Sequence, residues 1–116
     1  MLQRLLATFG RIGGVQAAAV VDADSVAIAT YLTPDLKEVD IALHIHDALR
    51  ETQRVVSESG LGNLDQFWVE SENGNVILAP LAGGFTLYVS SLDASNIGRL
   101  RHEVRARAPV IEDLLR

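Results

Sequence analysis

The chain has 116 residues, with 10 Lys+Arg against 15 Asp+Glu for a net charge of −5, and 48% of its residues are hydrophobic and 22% charged. This describes one ordinary folded core of about the usual domain size rather than a disordered tail, and the absence of cysteine excludes disulfides, thiolate metal sites and thiol catalysis. The acidic balance argues against nucleic acid, and no apolar run approaches the roughly 20 residues of a membrane span.

Met1–Leu6 is too short an apolar stretch for a signal peptide, so a single cytoplasmic domain over 1–116 is expected. In chain order, Leu2, Leu5, Leu6, Phe9 and Ile12 recur with helical spacing and place one apolar face on a short first helix. Gly10, Gly13 and Gly14 end it. Val15 to Val21 is apolar at nearly every position, the pattern of a strand covered on both faces. Asp22-Ala23-Asp24-Ser25 forms a tight turn, and Val26 to Tyr31 a second strand.

Thr33-Pro34-Asp35 is a helix start, with a cap, a first-turn proline and an acid at the positive end of the dipole. The helix runs to Ser59, where Gly60 and Gly62 stop it. Its inward stripe is Ile41, Ala42, Ile45, Ala48, Leu49, Thr52 and Val56. Asp40, His44, Asp47, Glu51, Arg54 and Glu58 face solvent. A third sector of Val39, Leu43, His46, Arg50 and Gln53 is half apolar, more than one sheet face consumes.

Leu64 to Ser71 and Asn75 to Leu81 are strands joined through Asn73-Gly74, a pair that signals a type I′ hairpin. Pro80 belongs at the end of its strand or at a bulge. After Gly83-Gly84, Phe85 to Ser91 is a fifth strand. Asp93 or Ser95 caps a last helix whose stripe of Ile97, Leu100, Val104, Ala108, Ile111 and Leu115 continues past Pro109, so that proline should kink rather than end it. The order α-β-β-α-β-β-β-α implies an α/β fold: a five-stranded antiparallel sheet ordered 2-1-5-4-3, the long helix on one face and the terminal helices on the other.

Catalytic chemistry finds little footing. His44 and His46 are two apart on a helix and cannot share a ligand face, and His102 has no second ligand nearby, so no metal site is expected. No glycine precedes a lysine as a phosphate loop requires, and no strand–GxGxxG–helix unit is present. G-x-S-x-G is absent. No cofactor is expected, and the chain reads as no enzyme. Trp68, between Phe67 and Val69, is either core or an interface anchor, since such aromatics bury large area at low entropy cost.

Gly14 to Asp22 with Asp24 and Ala27-Ile28-Ala29 resembles the opening hairpin of the roadblock (dynein light-chain-seven) superfamily. Glu72 to Leu81 with Phe85 to Val89 is similar to its second half. One departure stands in the turn, where Ser25 occupies a position often held by glycine. The resemblance implies a profilin-like roadblock fold and a non-catalytic scaffold. It also implies homodimerisation through edge-to-edge third strands with the long helices side by side, and association with a small Ras-like GTPase as in bacterial examples. From the residues themselves, the third strand would be an unprotected edge, a liability that pairing removes. The expected dimer interface is Phe67, Trp68 and Val69 with Val39, Leu43, His46, Arg50 and Gln53; the surface for any other partner is not assigned. The competing reading is a small-ligand-sensing module, which would need polar groups converging inside the core.

Overall fold

The computed structural model describes residues 1–33, 43–92 and 96–116, with side chains of the long helix described from residue 47 onward. The expected helix start at Thr33-Pro34-Asp35, the positions Val39, Asp40, Ile41 and Ala42, and the capping candidates Asp93 and Ser95 fall wholly or in part outside those residues.

Helix α1 (Leu2–Ala7) tightens into a 3₁₀ turn over Thr8–Arg11. Leu6, Phe9 and Ile12 are buried, and Leu2 and Leu5 pack against the same core. Strands β1 (Val15–Val21) and β2 (Ala27–Leu32) form the first hairpin. Helix α2 (Leu43–Glu58) follows, then β3 (Phe67–Ser71), β4 (Gly74–Pro80) and β5 (Thr86–Ser91). Helix α3 (Ile97–Leu114) closes the chain and continues through Pro109. The strands make one antiparallel sheet in the order β2-β1-β5-β4-β3.

The unbroken apolar run of β1 has the cause expected of it. Val15, Ala18 and Val20 join the core under α1 and α3, while Ala17 and Ala19 join a second core with Leu49 of α2. A β-bulge between Val15 and Ala17 accommodates the irregular alternation. The two cores are unequal. Beneath α1 and α3 lie fully buried Phe9, Ile77, Leu87, Val89, Val104 and Ile111, whereas the α2 face ends in half-buried Leu64, Phe67 and Val76.

Pro80 ends β4, where a missing N–H costs no ladder bond. The β1–β2 connection is a three-residue hairpin loop: Ser25 N donates to Asp22 O at 3.0 Å and Asp22 N to Val26 O at 2.9 Å. Ser25 sits at φ 64°, the left-handed position of a G1 bulge that glycine usually fills. The Asp22 carboxylate supports this loop by accepting from the N–H groups of Asp24 and Val26.

The second hairpin departs from expectation. Ser71 pairs with Gly74, so the two loop residues are Glu72 and Asn73, and Ser25 is the one non-glycine residue with positive φ among those described. The turn is therefore not the type I′ that Asn-Gly suggests. Gly74 instead opens β4 at φ 154°, with its α-carbon so near the Ser91 carbonyl that a Cβ would stand 3.1 Å from that oxygen. A second correction concerns the inward stripe of α2. Ala48 is exposed, while Leu49 is buried and Thr52, Gln53 and Val56 are half-buried. The helix rests on an arc centred between Leu49 and Val56, and half-buried Gln53 borders a cleft with Leu81 and Phe85.

Candidate interaction surface

The two edges of the sheet are finished differently. On β2, the Gln3 side chain of α1 donates through Nε2 to the Thr30 carbonyl and accepts from the Thr30 N–H at 3.3 Å. One side-chain amide thus satisfies both outward backbone groups of that residue. On β3, the one strand partner is β4, and among the described residues no side chain caps its outer backbone groups. An edge of this kind offers unpaired donors and acceptors to another strand.

Side chains on β3 alternate as expected. Phe67 packs into the α2-side core with Val76 and Leu64, and Trp68 into the α3-side core. Val69, opposite Val76 in register, is 39% exposed. The Trp68 indole donates to Gln66 Oε1 at 2.8 Å, and Gln66 Nε2 donates to the Arg101 carbonyl of α3 at 3.1 Å. The edge strand is therefore tied to α3 from one face and to the α2 core from the other.

The helix flank expected at the interface divides. Val39 lies outside the described residues, as do the side chains of Leu43 and His46. Arg50 donates to the Ala23 carbonyl at 2.9 Å, and Arg50 with Gln53 borders a cleft of about 170 Å³ against Phe85 and Gly84. Roughly 150° round the helix from Arg50, at 100° per residue, Ala48 is exposed and Val55 is 49% exposed. Sequence reasoning did not single out Val55 or Val76. Val55 carries a signal, as an aliphatic residue flanked by Arg54 and outside the apolar stripe; Val76 becomes visible only from its register with Val69.

The solvent side of α2 carries Arg54 between Glu51 and Glu58, the latter at 2.8 Å. Hydrogen bonding and charge from Arg54 hold the exposed Glu51 carboxyl below its usual range. Arg107 fastens α3 to the N-terminal segment: Nε donates to Thr8 Oγ1 at 2.9 Å, the guanidinium lies 4.9 Å from the Phe9 ring centroid, and an amino group meets Glu103. Burial, then the positive charges of Arg99 and Arg11, lower its pKa from the ordinary arginine value. Glu112 accepts from the Ala82 N–H at 2.9 Å and pins the end of α3 to the β4–β5 link.

Among the described residues, no three His, Cys, Asp or Glu side chains converge as a metal site would require. No helix there is long and apolar enough to cross a membrane. The α2-side core of the described residues is built on Ala17, Ala19, Leu49, Leu78 and Tyr88, with Gln53 and buried Thr86 at the neighbouring cleft.

Similarity to known proteins agrees with this architecture. An uncharacterized protein of Methanocaldococcus jannaschii, MJ0714, is 26% identical over 112 residues, spanning 97% of this chain and 94% of that protein. The gliding protein MglB of Thermus thermophilus superposes with a TM-score of 0.84 at 13% identity, over 97% of this chain and 86% of the other. An MglB structure described as having a tetrameric arrangement superposes with a TM-score of 0.76 at 14% identity, over 97% and 88%. At these identities the likeness shows a shared fold. The Roadblock/LC7 domain model matches residues 1–91, from α1 to the last residue of β5, and the chain belongs to the Roadblock/LC7 domain family.

Proposed function

We propose that this chain is a non-catalytic, cytoplasmic scaffold that forms a homodimer through β3 and α2 and, as a dimer, binds a small Ras-like GTPase. The observation that carries the first half is the contrast between edges. Gln3 blocks β2 at Thr30, while β3 is open and carries half-buried Phe67 and exposed Val69. Pairing two copies of β3 about a two-fold axis satisfies the edge and covers those side chains in one isologous contact.

Phe67, Trp68 and Val69 contribute the strand, and the α2 flank contributes Leu43, His46 and its neighbours. Trp68 faces α3, so its part is to stiffen the strand rather than to meet the second α2. Arg50 and Gln53 close the cleft at Ala23 and Phe85. In the dimer they orient α2. The tetrameric arrangement of one MglB supports self-association as a habit of this fold.

The GTPase half rests on family resemblance. A dimer without catalytic groups can still shift the nucleotide cycle of a GTPase by binding one switch conformation more tightly than another. Two experiments separate the halves. Sedimentation of the wild type and of Val69→Arg tests the dimer: the wild type should run as a dimer and the variant, folded by circular dichroism, as a monomer. Pull-down of a Ras-like GTPase encoded beside this gene, loaded with GTP or GDP, tests the partner. Binding that ignores the nucleotide removes the regulatory role and leaves the dimer untouched.

A further inference from the structure

A trough runs along α3 between that helix and β3. Its wider part, about 480 Å³, has Trp68 and Glu70 on the strand side and Arg101 and Arg105 on the helix side. It continues past Gln66 and Asp65 into a second part of about 290 Å³ that reaches Pro109 and Glu112. From Ile97 to Glu112 the trough follows about 22 Å of helix at 1.5 Å per residue. We propose that it binds an extended acidic segment of a partner protein, with carboxylates two residues apart meeting Arg101 and Arg105.

Charge supports this occupant. The chain is acidic overall, at −5, yet its positive charge is gathered on this layer. Residues 1–21 hold Arg4 and Arg11 and no acid, and α3 holds Arg99, Arg101, Arg105 and Arg107 against Glu103, Glu112 and Asp113; Glu112, at the far end of the trough, is held by the Ala82 N–H. Glu103 is taken by Arg107. Arg101 and Arg105 are exposed, and neither side chain makes an ion pair or hydrogen bond among the described residues. Two unpaired guanidiniums one turn apart stand about 6 Å from each other at their bases. Alternate side chains of an extended strand, at about 3.3 Å per residue, are spaced alike.

The backbone also favours an extended guest. Pro109 lacks the N–H that the Arg105 carbonyl would otherwise receive in the helix, so a strand passing along this wall finds an acceptor. A helix, about 10 Å across with its own N–H groups internally bonded, could not use it. The floor is preformed, because Gln66 holds both the Trp68 indole and the Arg101 carbonyl. Asp65 and Glu70 line the opposite wall. They disfavour a polyanion such as RNA or an anionic bilayer, and suit a peptide that presents carboxylates on one side only.

Trp68 is the sole tryptophan and lines the trough, so its fluorescence reports occupancy directly. The full chain is titrated with a synthetic peptide of roughly seven residues alternating glutamate and leucine, with a lysine–leucine peptide and phosphatidylserine vesicles in parallel. The expected result is a saturable change in Trp68 emission with the glutamate peptide, at least about tenfold weaker in R101E/R105E. That variant should instead respond to the lysine peptide. Both arginines are exposed and their side chains make no ion pair or hydrogen bond among the described residues, so its thermal melt should match the wild type; if it does not, R101Q/R105Q is read in the same way. An absent response, an equal response in the variant, or an arginine-dependent response to vesicles without one to peptide overturns the assignment.

Discussion

The Gln3 side-chain amide bonds both the N–H and the carbonyl of Thr30, so the N-terminal helix caps the outer edge of β2 at that residue. The opposite edge, β3, has no such cover among the described residues. Among the described residues the sheet thus has one edge capped by a side chain and one without such a cap. Gln3→Ala should cost about 1 kcal/mol and leave the sedimentation coefficient of the dimer unchanged. A loss of the dimer in that variant would move the interface to β2.

The β1–β2 hairpin turns on Ser25 at φ 64°. A β-branched residue there is strained, so Ser25→Val should lower stability by about 1–2 kcal/mol. Ser25→Gly should be neutral or stabilise by up to about 1 kcal/mol, since glycine adopts this conformation without a Cβ penalty. Urea unfolding of the pair checks the sign of each change.

Gly10 lies against the ring of Tyr31: an added Cβ would stand 2.5 Å from Tyr31 Cζ. Gly10→Ala should therefore push the ring aside and cost about 1–3 kcal/mol. Tyr31→Leu should absorb most of that cost, and a double-mutant cycle of melting temperatures measures the coupling. Additivity of the two changes would mean that the ring swings away freely.

Arg107 joins Thr8, Phe9 and Glu103 with its side chain 21% exposed. Arg107→Met should cost about 2 kcal/mol, the scale of a charged hydrogen-bond set, seen as a drop of roughly 10 °C in Tm. Arg107→Lys should recover little of it, because an ammonium cannot serve Thr8 and Glu103 while lying flat over Phe9.

The sheet order and the apolar stripes of the first and last helices were legible because local signals agree with the global fold. The run Val15–Val21 marks a strand covered on both faces, Pro80 marks a strand end, and the stripe through Leu100, Val104 and Ile111 survives Pro109. What escaped depends on partners far off in sequence. Nothing near Gln3 signals Thr30, nothing near Gln66 signals Arg101, and Arg107 reads as one more surface charge until Thr8 folds beneath it. Asn73-Gly74 misled because the approach of Gly74 to Ser91, not turn chemistry, fixes that glycine. On α2, Leu49, Thr52 and Val56 lie inward as their spacing implies, while Ala48 is exposed and polar Gln53 is half-buried in its place. The β3 edge itself was foreseen; the seal on β2 that makes it distinctive was not.

The chain has no cysteine, so a single introduced cysteine can form a disulfide only with a second copy. Paired antiparallel strands hold facing α-carbons about 4.5–5.5 Å apart, within reach of a disulfide. Phe67→Cys, Trp68→Cys, Val69→Cys, Glu70→Cys and Ser71→Cys, one at each position of β3, are oxidised and compared with Ile28→Cys, 44% exposed on β2. Dimerisation through β3 predicts a covalent dimer in high yield for at least one β3 variant and none above background for Ile28→Cys. If every β3 variant stays monomeric on a non-reducing gel, or Ile28→Cys cross-links as well as they do, the β3 interface is contradicted.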